Sequence, residues 1–162
     1  MRSRGFVVVV LLAAAACGVC GGISTCDSLE RPETHFSTGG LPAVDELRHR
    51  GWLPSFVSSS SYEIHEMHDL DTNKVWVTFR LPPSELGALE LIGDDLLAPE
   101  FDIEPPSRFY FVMRRSAPWW PAALSGTIKR AELEAQGYVL RRAGEGLLAI
   151  HVAAGRAYYV AR

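Results

Sequence analysis

Cysteine is scarce in this sequence and is confined to its beginning. Only three of the 162 residues are cysteines, and none lies after Cys26. They therefore do not form a disulfide framework for a folded core. Cys17 and Cys20 have the spacing of a redox or metal pair, but no strand precedes them and no second pair follows, which disfavours both uses. If Cys17 is modified, Cys20 and Cys26 are left either to pair or to stay as thiols.

An excess of positive charge is also missing. The chain has 16 lysines and arginines against 19 aspartates and glutamates, and its formal net charge is −3. Removal of residues 1–16 would take away Arg2 and Arg4 and no acid, which lowers the net charge to −5. Nucleic acid is therefore not an expected partner, because its recognition relies on a basic surface.

Recognised catalytic motifs are absent as well. The sequence has no GxSxG nucleophile elbow, no glycine loop that would cradle a phosphate and no internal repeat. With 48% hydrophobic and 22% charged residues, its composition is that of an ordinary globular domain. These features predict one folded domain without a cofactor, and they favour a binding module over an enzyme.

The N-terminal segment has the features of an export signal. Arg2 and Arg4 form a short basic region, and residues 6–16 are an apolar run of about eleven residues, too short to span a bilayer. The run ends in alanines, with residues 14–16 immediately before Cys17. This junction resembles the lipobox of bacterial lipoproteins, in which the peptide is cut before the cysteine and the cysteine is acylated. The resemblance implies that residues 1–16 are a signal peptide and that Cys17 is the lipidated residue.

A lipidated Cys17 indicates where the chain is expected to reside. Stable anchoring needs more than one acyl chain, which the triacylated cysteine of this family provides. Gly18 rather than aspartate follows the cysteine, and the sorting pattern of the family then implies the outer membrane, with the chain facing the periplasm. The expected partners are the membrane, through the lipid, and an envelope protein. Secretion as a soluble or periplasmic protein is the alternative.

The rest of the chain divides into a spacer and a folded domain. Residues 17–40 are polar and rich in glycine, serine and threonine, which predicts a flexible spacer. Residues 41–162 predict a single α+β domain, with about six antiparallel strands and three short helices packed mainly on one face. The predicted helices are residues 42–50, 84–92 and 129–136. The predicted strands are a hairpin in residues 61–81, a central strand in 108–114, and a terminal meander in 138–142, 147–153 and 157–161.

The hairpin carries the candidate catalytic pair. Side chains alternate between the two faces of a strand, so Glu66 and His68 are expected on one face and His65 on the other. A carboxylate beside an imidazole is an arrangement used in general acid and base catalysis. A solvated or ion-paired strand face is the simpler interpretation of the same residues.

The turn of the hairpin carries the candidate metal ligands. The aspartates and the asparagine of DLDTN have the alternate spacing that opens a calcium loop. An EF-hand would need glycine where Lys74 stands and glutamate where Arg80 stands, so that motif is excluded. The remaining metal hypothesis combines His68 with Asp69 or Asp71. The simpler interpretation is that these acids hold backbone N–H groups in the turn.

A second candidate site lies in the aromatic loop of residues 118–121. Two prolines flank Trp119 and Trp120 and restrict the backbone there. If exposed, the paired rings would bind a sugar or a protein partner; if buried, they would close one end of a core. Both interpretations follow from the residues alone.

Two segments of the chain resemble part of a group of small bacterial envelope proteins. They are WLP at residues 52–54 and EIHEMHDLDTNKVWVTF at residues 63–79, followed later by the paired tryptophans. In that group an IHE, HD, DTN and W pattern leads into an aromatic strand. The resemblance implies a type of protein and no particular activity. We expect a binding or scaffolding module of the envelope. The alternative is a metal-assisted or acid/base enzyme that uses Glu66 and His68 with the acids of the turn.

The anchor can be tested by replacing Cys17 with serine. Serine cannot form the thioether that holds the diacylglycerol, so Cys17→Ser is expected to move the protein from the membrane to the soluble fraction and to remove the lipid mass from the chain. Fractionation and intact mass measure both effects. Cys20→Ser, the same change at a neighbouring cysteine, is expected to alter neither. A wild-type protein that is soluble and carries no lipid mass would contradict the prediction.

Overall fold

The computed structural model describes residues 31–110 and 113–162. The predicted signal peptide, the lipidation residue Cys17, and Cys20 and Cys26 lie outside the described residues. The described chain is an α+β domain of mainly antiparallel sheet with three helices, in agreement with the predicted fold class. None of these helices is long and apolar enough to cross a membrane.

The described residues form eleven strands and three α-helices. In chain order the strands are β1 (Glu33–Thr38), β2 (Tyr62–Asp69), β3 (Lys74–Arg80), β4 (Asp94–Asp95), β5 (Glu100–Ile103), β6 (Ser107–Tyr110), β7 (Met113–Ser116), β8 (Gly126–Lys129), β9 (Tyr138–Ala143), β10 (Gly146–His151) and β11 (Arg156–Ala161). The helices are α1 (Pro42–His49), α2 (Pro83–Leu89) and α3 (Arg130–Ala135). All three helices lie within the segments in which the sequence predicts them, apart from small differences at their ends.

Seven of the strands form one antiparallel sheet. Its order is β1-β2-β3-β11-β10-β9-β4, so the hairpin β2–β3 lies beside the terminal meander of β9, β10 and β11, as predicted. Two smaller ribbons pair β5 with β8 and β6 with β7. The main sheet therefore has slightly more strands than expected, because β1 and the short β4 extend it at its two edges.

Hydrophobic cores cover both faces of this sheet. On one face Val77 and Phe79 of β3 pack in a core with buried residues of α1 and α2, such as Val44 and Leu86. On the other face Trp76 belongs to a second core, which includes a leucine of α3. The alternation in β3 thus places side chains in two apolar layers, and both faces of the strand are buried. Two of the three helices share a face, and α3 lies on the opposite one.

The predicted boundary between spacer and domain at residues 40 and 41 is wrong. Residues 33–38, assigned to the spacer, form β1, which pairs antiparallel with β2 and places Thr34 opposite Glu66. The segment ETHFST is polar because β1 is an edge strand, and none of its residues is fully buried. Hydrophobic periodicity does not reveal such a strand, since its backbone pairing rather than its apolar side chains holds it in place.

The predicted central strand at residues 108–114 is also wrong. That apolar run contributes instead to β6 and β7, which pair with each other in a separate ribbon. Strand propensity acts on local conformation and does not select the partner strand. The centre of the sheet is taken by β3 and β11, which pair along their whole length from Val75 opposite Ala161 to Arg80 opposite Arg156.

Two glycines offer a matched test of this architecture. Gly93 has φ of +70°, and a Cβ added there would overlap the carbonyl oxygen of Arg142 in β9, so Gly93→Ala is expected to destabilise the fold by about 1–3 kcal/mol. Gly87 lies within α2 with nothing near the position of an added Cβ, so Gly87→Ala is expected to stabilise the fold by up to about 1 kcal/mol. Urea unfolding measures both free energies. Equal stabilities of the two variants would contradict the predicted contact at Gly93.

Candidate functional site

Glu66 and His68 form a buried pair at the centre of the candidate site. They lie two residues apart on β2 and on the same face, as strand alternation predicts. The Nδ1 atom of His68 lies 2.6 Å from Oε1 of Glu66. Glu66 is fully buried and His68 is 3% exposed. The two side chains therefore contact each other, but the predicted solvated strand face is absent, since both side chains lie inside the protein.

The hydrogen-bond partners of Glu66 come from its own strand β2 and from the neighbouring strand β1. The hydroxyl of Thr34 on β1 donates to Oε2 at 2.8 Å, while His68 contacts the other carboxylate oxygen. Burial raises the pKa of Glu66, and the hydrogen bonds from Thr34 and His68 offset part of that rise. Both carboxylate oxygens of Glu66 thus have a polar partner, as a buried polar group requires.

The indole of Trp52 stacks on one face of the His68 imidazole. The ring centroids of Trp52 and His68 are 3.9 Å apart, and the ring planes differ by 25°. The position of Trp52 follows from the end of α1, where Gly51 has φ of +78° and the N–H of Trp52 donates to the carbonyl of Leu47 at 3.0 Å. Only glycine adopts such a φ readily, so this turn can direct the indole back onto β2.

His68 lines a small cavity and has one nitrogen without a hydrogen-bond partner. The unpartnered atom is Nε2, which is buried. The cavity has a volume of about 210 Å³. Its lining comprises Arg50, Gly51, Trp52, His68, Asp69, Leu70, Asn73 and Val75. A buried donor or acceptor left unpaired costs roughly 1–3 kcal/mol.

Asp69 holds backbone N–H groups of the turn. Asp69 Oδ1 accepts hydrogen bonds from the N–H groups of Asp71 and Thr72 at 3.0 and 3.1 Å, and its Oδ2 forms an ion pair with Arg31 at 2.7 Å. Burial raises the pKa of Asp69, but the N–H of Thr72 and the charge of Arg31 outweigh it, and the net pKa is lowered. Both oxygens of Asp69 are thus used by the protein itself, which agrees with the architectural interpretation of the turn.

The metal hypothesis gains no geometric support. In residues 31–110 and 113–162 there is no group of three or more His, Cys, Asp or Glu side chains that could hold a metal ion. His68 lies near Asp69, whose carboxylate is already engaged, and Asp71 is exposed. The turn and His68 are therefore better described as parts of a polar cavity than as a metal centre.

The two tryptophans of the aromatic loop have different environments. Trp120 is 6% exposed, and its Nε1 donates to the carbonyl of Leu124 at 2.7 Å, so it belongs to the second core. Trp119 is partly exposed; its Nε1 donates to Glu33 at 2.8 Å and its ring stacks on His65 at 5.6 Å. Trp119 thus remains available on the surface, on the side of β2 opposite His68, whereas Trp120 closes the core.

Sequence reasoning missed four residues that build the site. Thr34 and Arg31 lie in the segment assigned to the spacer, and Trp52 and Arg50 lie where α1 ends. If residues 33–38 had been recognised as the strand that pairs with β2, Thr34 would have been placed opposite Glu66. It would then have been the candidate donor, because a buried glutamate needs a hydrogen-bond donor. The other three come together only through the tertiary fold, and no local pattern marks them.

A protein-family model matches the part of the sequence that forms the site. Residues 30–80 match the family model of the YbbD head domain. The match covers less than half of the chain and indicates a bacterial protein family. It includes β1, α1, β2 and β3, and so every residue of the Glu66–His68 site, but not the tryptophan loop. No curated protein and no solved structure matches the chain.

The buried carboxylate predicts a specific pH dependence of stability. Because the pKa of Glu66 is raised above its ordinary 4.5, the folded protein holds this proton more tightly than the unfolded chain does. The stability from this proton is present at low pH and is lost as the pH rises from about 4.5 through the raised pKa. Glu66→Gln cannot titrate, so its free energy of unfolding is expected to rise relative to that of the wild type over this range.

Urea unfolding at a series of pH values measures the difference between the two proteins. Glu132→Gln, which removes an exposed carboxylate from α3, controls for the loss of one negative charge. A difference between Glu66→Gln and the wild type that stays constant with pH would show that Glu66 does not titrate as its burial requires.

Proposed function

We propose that the protein is a lipid-anchored component of the bacterial cell envelope, held through Cys17 at the outer membrane and facing the periplasm. Its α+β domain binds or scaffolds another envelope component without catalysis. The lipobox-like junction at Cys17 supports the anchor, and the match of residues 30–80 supports a bacterial protein family. Release as a soluble periplasmic or secreted protein is the alternative location.

The observation that carries the binding role is the small cavity that His68 and Trp52 line beside the buried Glu66. Glu66 and Trp52 hold the imidazole on two sides, so this part of the lining is fixed before a ligand arrives. A group held in one orientation loses little conformational entropy when a ligand arrives, and affinity benefits from that. The cavity mixes polar atoms with an indole and aliphatic side chains, as small ligand sites commonly do.

The lining favours binding over catalysis. The residues that line the cavity include no serine, threonine, cysteine or lysine that would serve as a nucleophile beside His68. Asp69, the acid nearest to it in sequence, is occupied by Arg31 and by backbone N–H groups. Such a site can orient and hold a polar group, and it lacks a second reactive side chain to transform it.

An acid/base enzyme is the second candidate. The 2.6 Å contact between Glu66 and Nδ1 of His68 favours it, because a carboxylate on one ring nitrogen orients the other for proton transfer. On this alternative Nε2 is the atom that exchanges a proton with substrate. A screened activity that disappears in both Glu66→Gln and His68→Ala would establish it, whereas an activity that both variants retain would belong elsewhere in the protein.

The binding role can be tested by crosslinking at the cavity in living cells. A photoreactive amino acid replaces Leu70, which lines the cavity and is 50% exposed, and in a separate strain Leu91, which is 80% exposed and does not line it. We expect the probe at Leu70 to yield a discrete adduct with an envelope component and the probe at Leu91 to yield none. Immunoblotting and mass spectrometry detect the adduct. Identical patterns at the two positions would count against the cavity as the binding site.

A further inference from the structure

We propose that His35 and His65 form a surface site for a copper(II) ion, with one ring nitrogen of each histidine as a ligand and water in the remaining positions. His65 lies on the face of β2 opposite His68, so the inference is independent of the binding role proposed above. The two histidines are distant in the chain and meet only because β1 pairs with β2.

Strand pairing places the two imidazoles side by side. His35 of β1 is directly opposite His65 of β2 in the antiparallel register. Directly opposite residues have Cβ atoms about 4.5–5.5 Å apart, and their side chains leave the sheet on the same face. The ring centroids of the two histidines are 4.3 Å apart. The fold therefore holds two ligands of the type that transition metals prefer within reach of one ion.

The distance between the rings fits two neighbouring corners of a square-planar or tetragonal site. With metal–nitrogen bonds of about 2 Å, two imidazoles bound at right angles have centroids about 4.5 Å apart, and two bound at the tetrahedral angle about 5 Å. The observed 4.3 Å is nearer to the first value. Copper(II) prefers tetragonal coordination and leads the Irving–Williams order, whereas zinc prefers tetrahedral sites. The geometry therefore favours copper(II) over zinc.

One of the two rings is held in place and the other is free to turn. His65 is partly buried, and its ring stacks on that of Trp119 with the planes 18° apart. His35 is exposed on the edge strand β1, and its ring is tilted by 31° from that of His65. The χ2 torsion of histidine is broad, so the His35 ring can turn about its Cβ–Cγ bond while its centroid stays nearly in place. The exposed ligand can thus adjust its nitrogen to an ion that binds the fixed one.

The surroundings of His65 favour the protonation state that binds a metal. Burial lowers the pKa of His65, and the neighbouring His35 and Arg156 lower it as well, while Glu33 and Glu63 act in the opposite direction; the net pKa is lowered. A neutral imidazole has a lone pair for a metal ion, and an imidazolium has none. His65 is therefore ready to act as a ligand at neutral pH.

The described part of the protein supplies two ligands to this site. In residues 31–110 and 113–162 there is no group of three or more His, Cys, Asp or Glu side chains that could hold a metal ion. Closed structural metal sites use four protein ligands, and a site with two leaves positions for water. The bound copper is thus an exchangeable ion at the surface rather than a structural one.

The test titrates copper(II) chloride into the mature chain with Cys17, Cys20 and Cys26 replaced by serine, because free thiols would bind copper themselves. We expect saturable binding with a dissociation constant on the order of micromolar. Quenching of tryptophan fluorescence follows the binding, since Trp119 lies against His65. Electron paramagnetic resonance of protein with ¹⁵N-labelled histidine is expected to show two imidazole nitrogens on the copper. Zinc(II) chloride is expected to bind more weakly.

Three variants separate the pair from other histidines. His35→Ala and His65→Ala are each expected to weaken copper binding about tenfold or more and to leave one imidazole nitrogen on the ion, because the second ligand is no longer held nearby. His49→Ala removes an exposed histidine at the end of α1 and is expected to leave the affinity unchanged. Circular dichroism checks the folding of each variant. Because His35 is exposed on an edge strand, His35→Ala tests the site even if His65→Ala does not fold.

Three results would overturn the proposal. They are equal copper affinities of the parent chain and His35→Ala, a resonance spectrum of the parent chain with fewer than two imidazole nitrogens, and tighter binding of zinc than of copper. None of these results bears on the His68 cavity, since its lining includes neither His35 nor His65.

Discussion

The antiparallel pairing of β2 with β3 is the constraint on which both the cores and the candidate site depend. β3 separates two hydrophobic layers, with Phe79 on one side and Trp76 on the other. Because β2 lies beside it in the same sheet, the polar residues of β2 are carried into the same interior. Glu66 and His68 are therefore buried by the packing of their neighbour rather than by their own hydrophobicity. The site is a consequence of the position of β2 between β1 and β3.

A buried carboxylate and imidazole are costly unless their hydrogen bonds are supplied. Here β1 supplies the hydroxyl of Thr34, and the pair supplies one contact internally. The edge strand is thus part of the site as well as part of the sheet. The one polar atom of the pair without a hydrogen-bond partner is Nε2 of His68, and it too is buried.

His65 and His68 lie three residues apart on β2 and have different aromatic neighbours. His65 and His68 point to opposite faces of β2, as the alternation of a strand requires. His65 stacks with Trp119 on the side of the second core. The ring centroids of His65 and His35 are 4.3 Å apart. His68 stacks with Trp52, on the side of α1. The tryptophan loop and the Glu66 pair are therefore separate features, and a role for one does not imply a role for the other.

The place where the chain enters the domain adjoins the candidate site. Arg31 forms the ion pair with Asp69 and also donates to the carbonyl of Ser107 at 3.1 Å, so it ties the segment before β1 to the hairpin turn and to β6.

The sequence by itself determined the α+β class, the three helices, the hairpin, the terminal meander, and the shared face of Glu66 and His68. These follow from local rules: helix ends marked by proline and glycine, short turns between strands, and alternation along a strand. Only the tertiary structure decided that β1 joins the sheet, that residues 108–114 leave it, and that the Glu66 pair is buried. Thr34 reaches Glu66 through strand pairing, and Trp52 reaches His68 from the end of α1. Both contacts join residues that are distant in the chain. Local sequence patterns do not reveal such contacts, because a polar edge strand and a polar loop have similar sequences. Only the pairing with another strand distinguishes them.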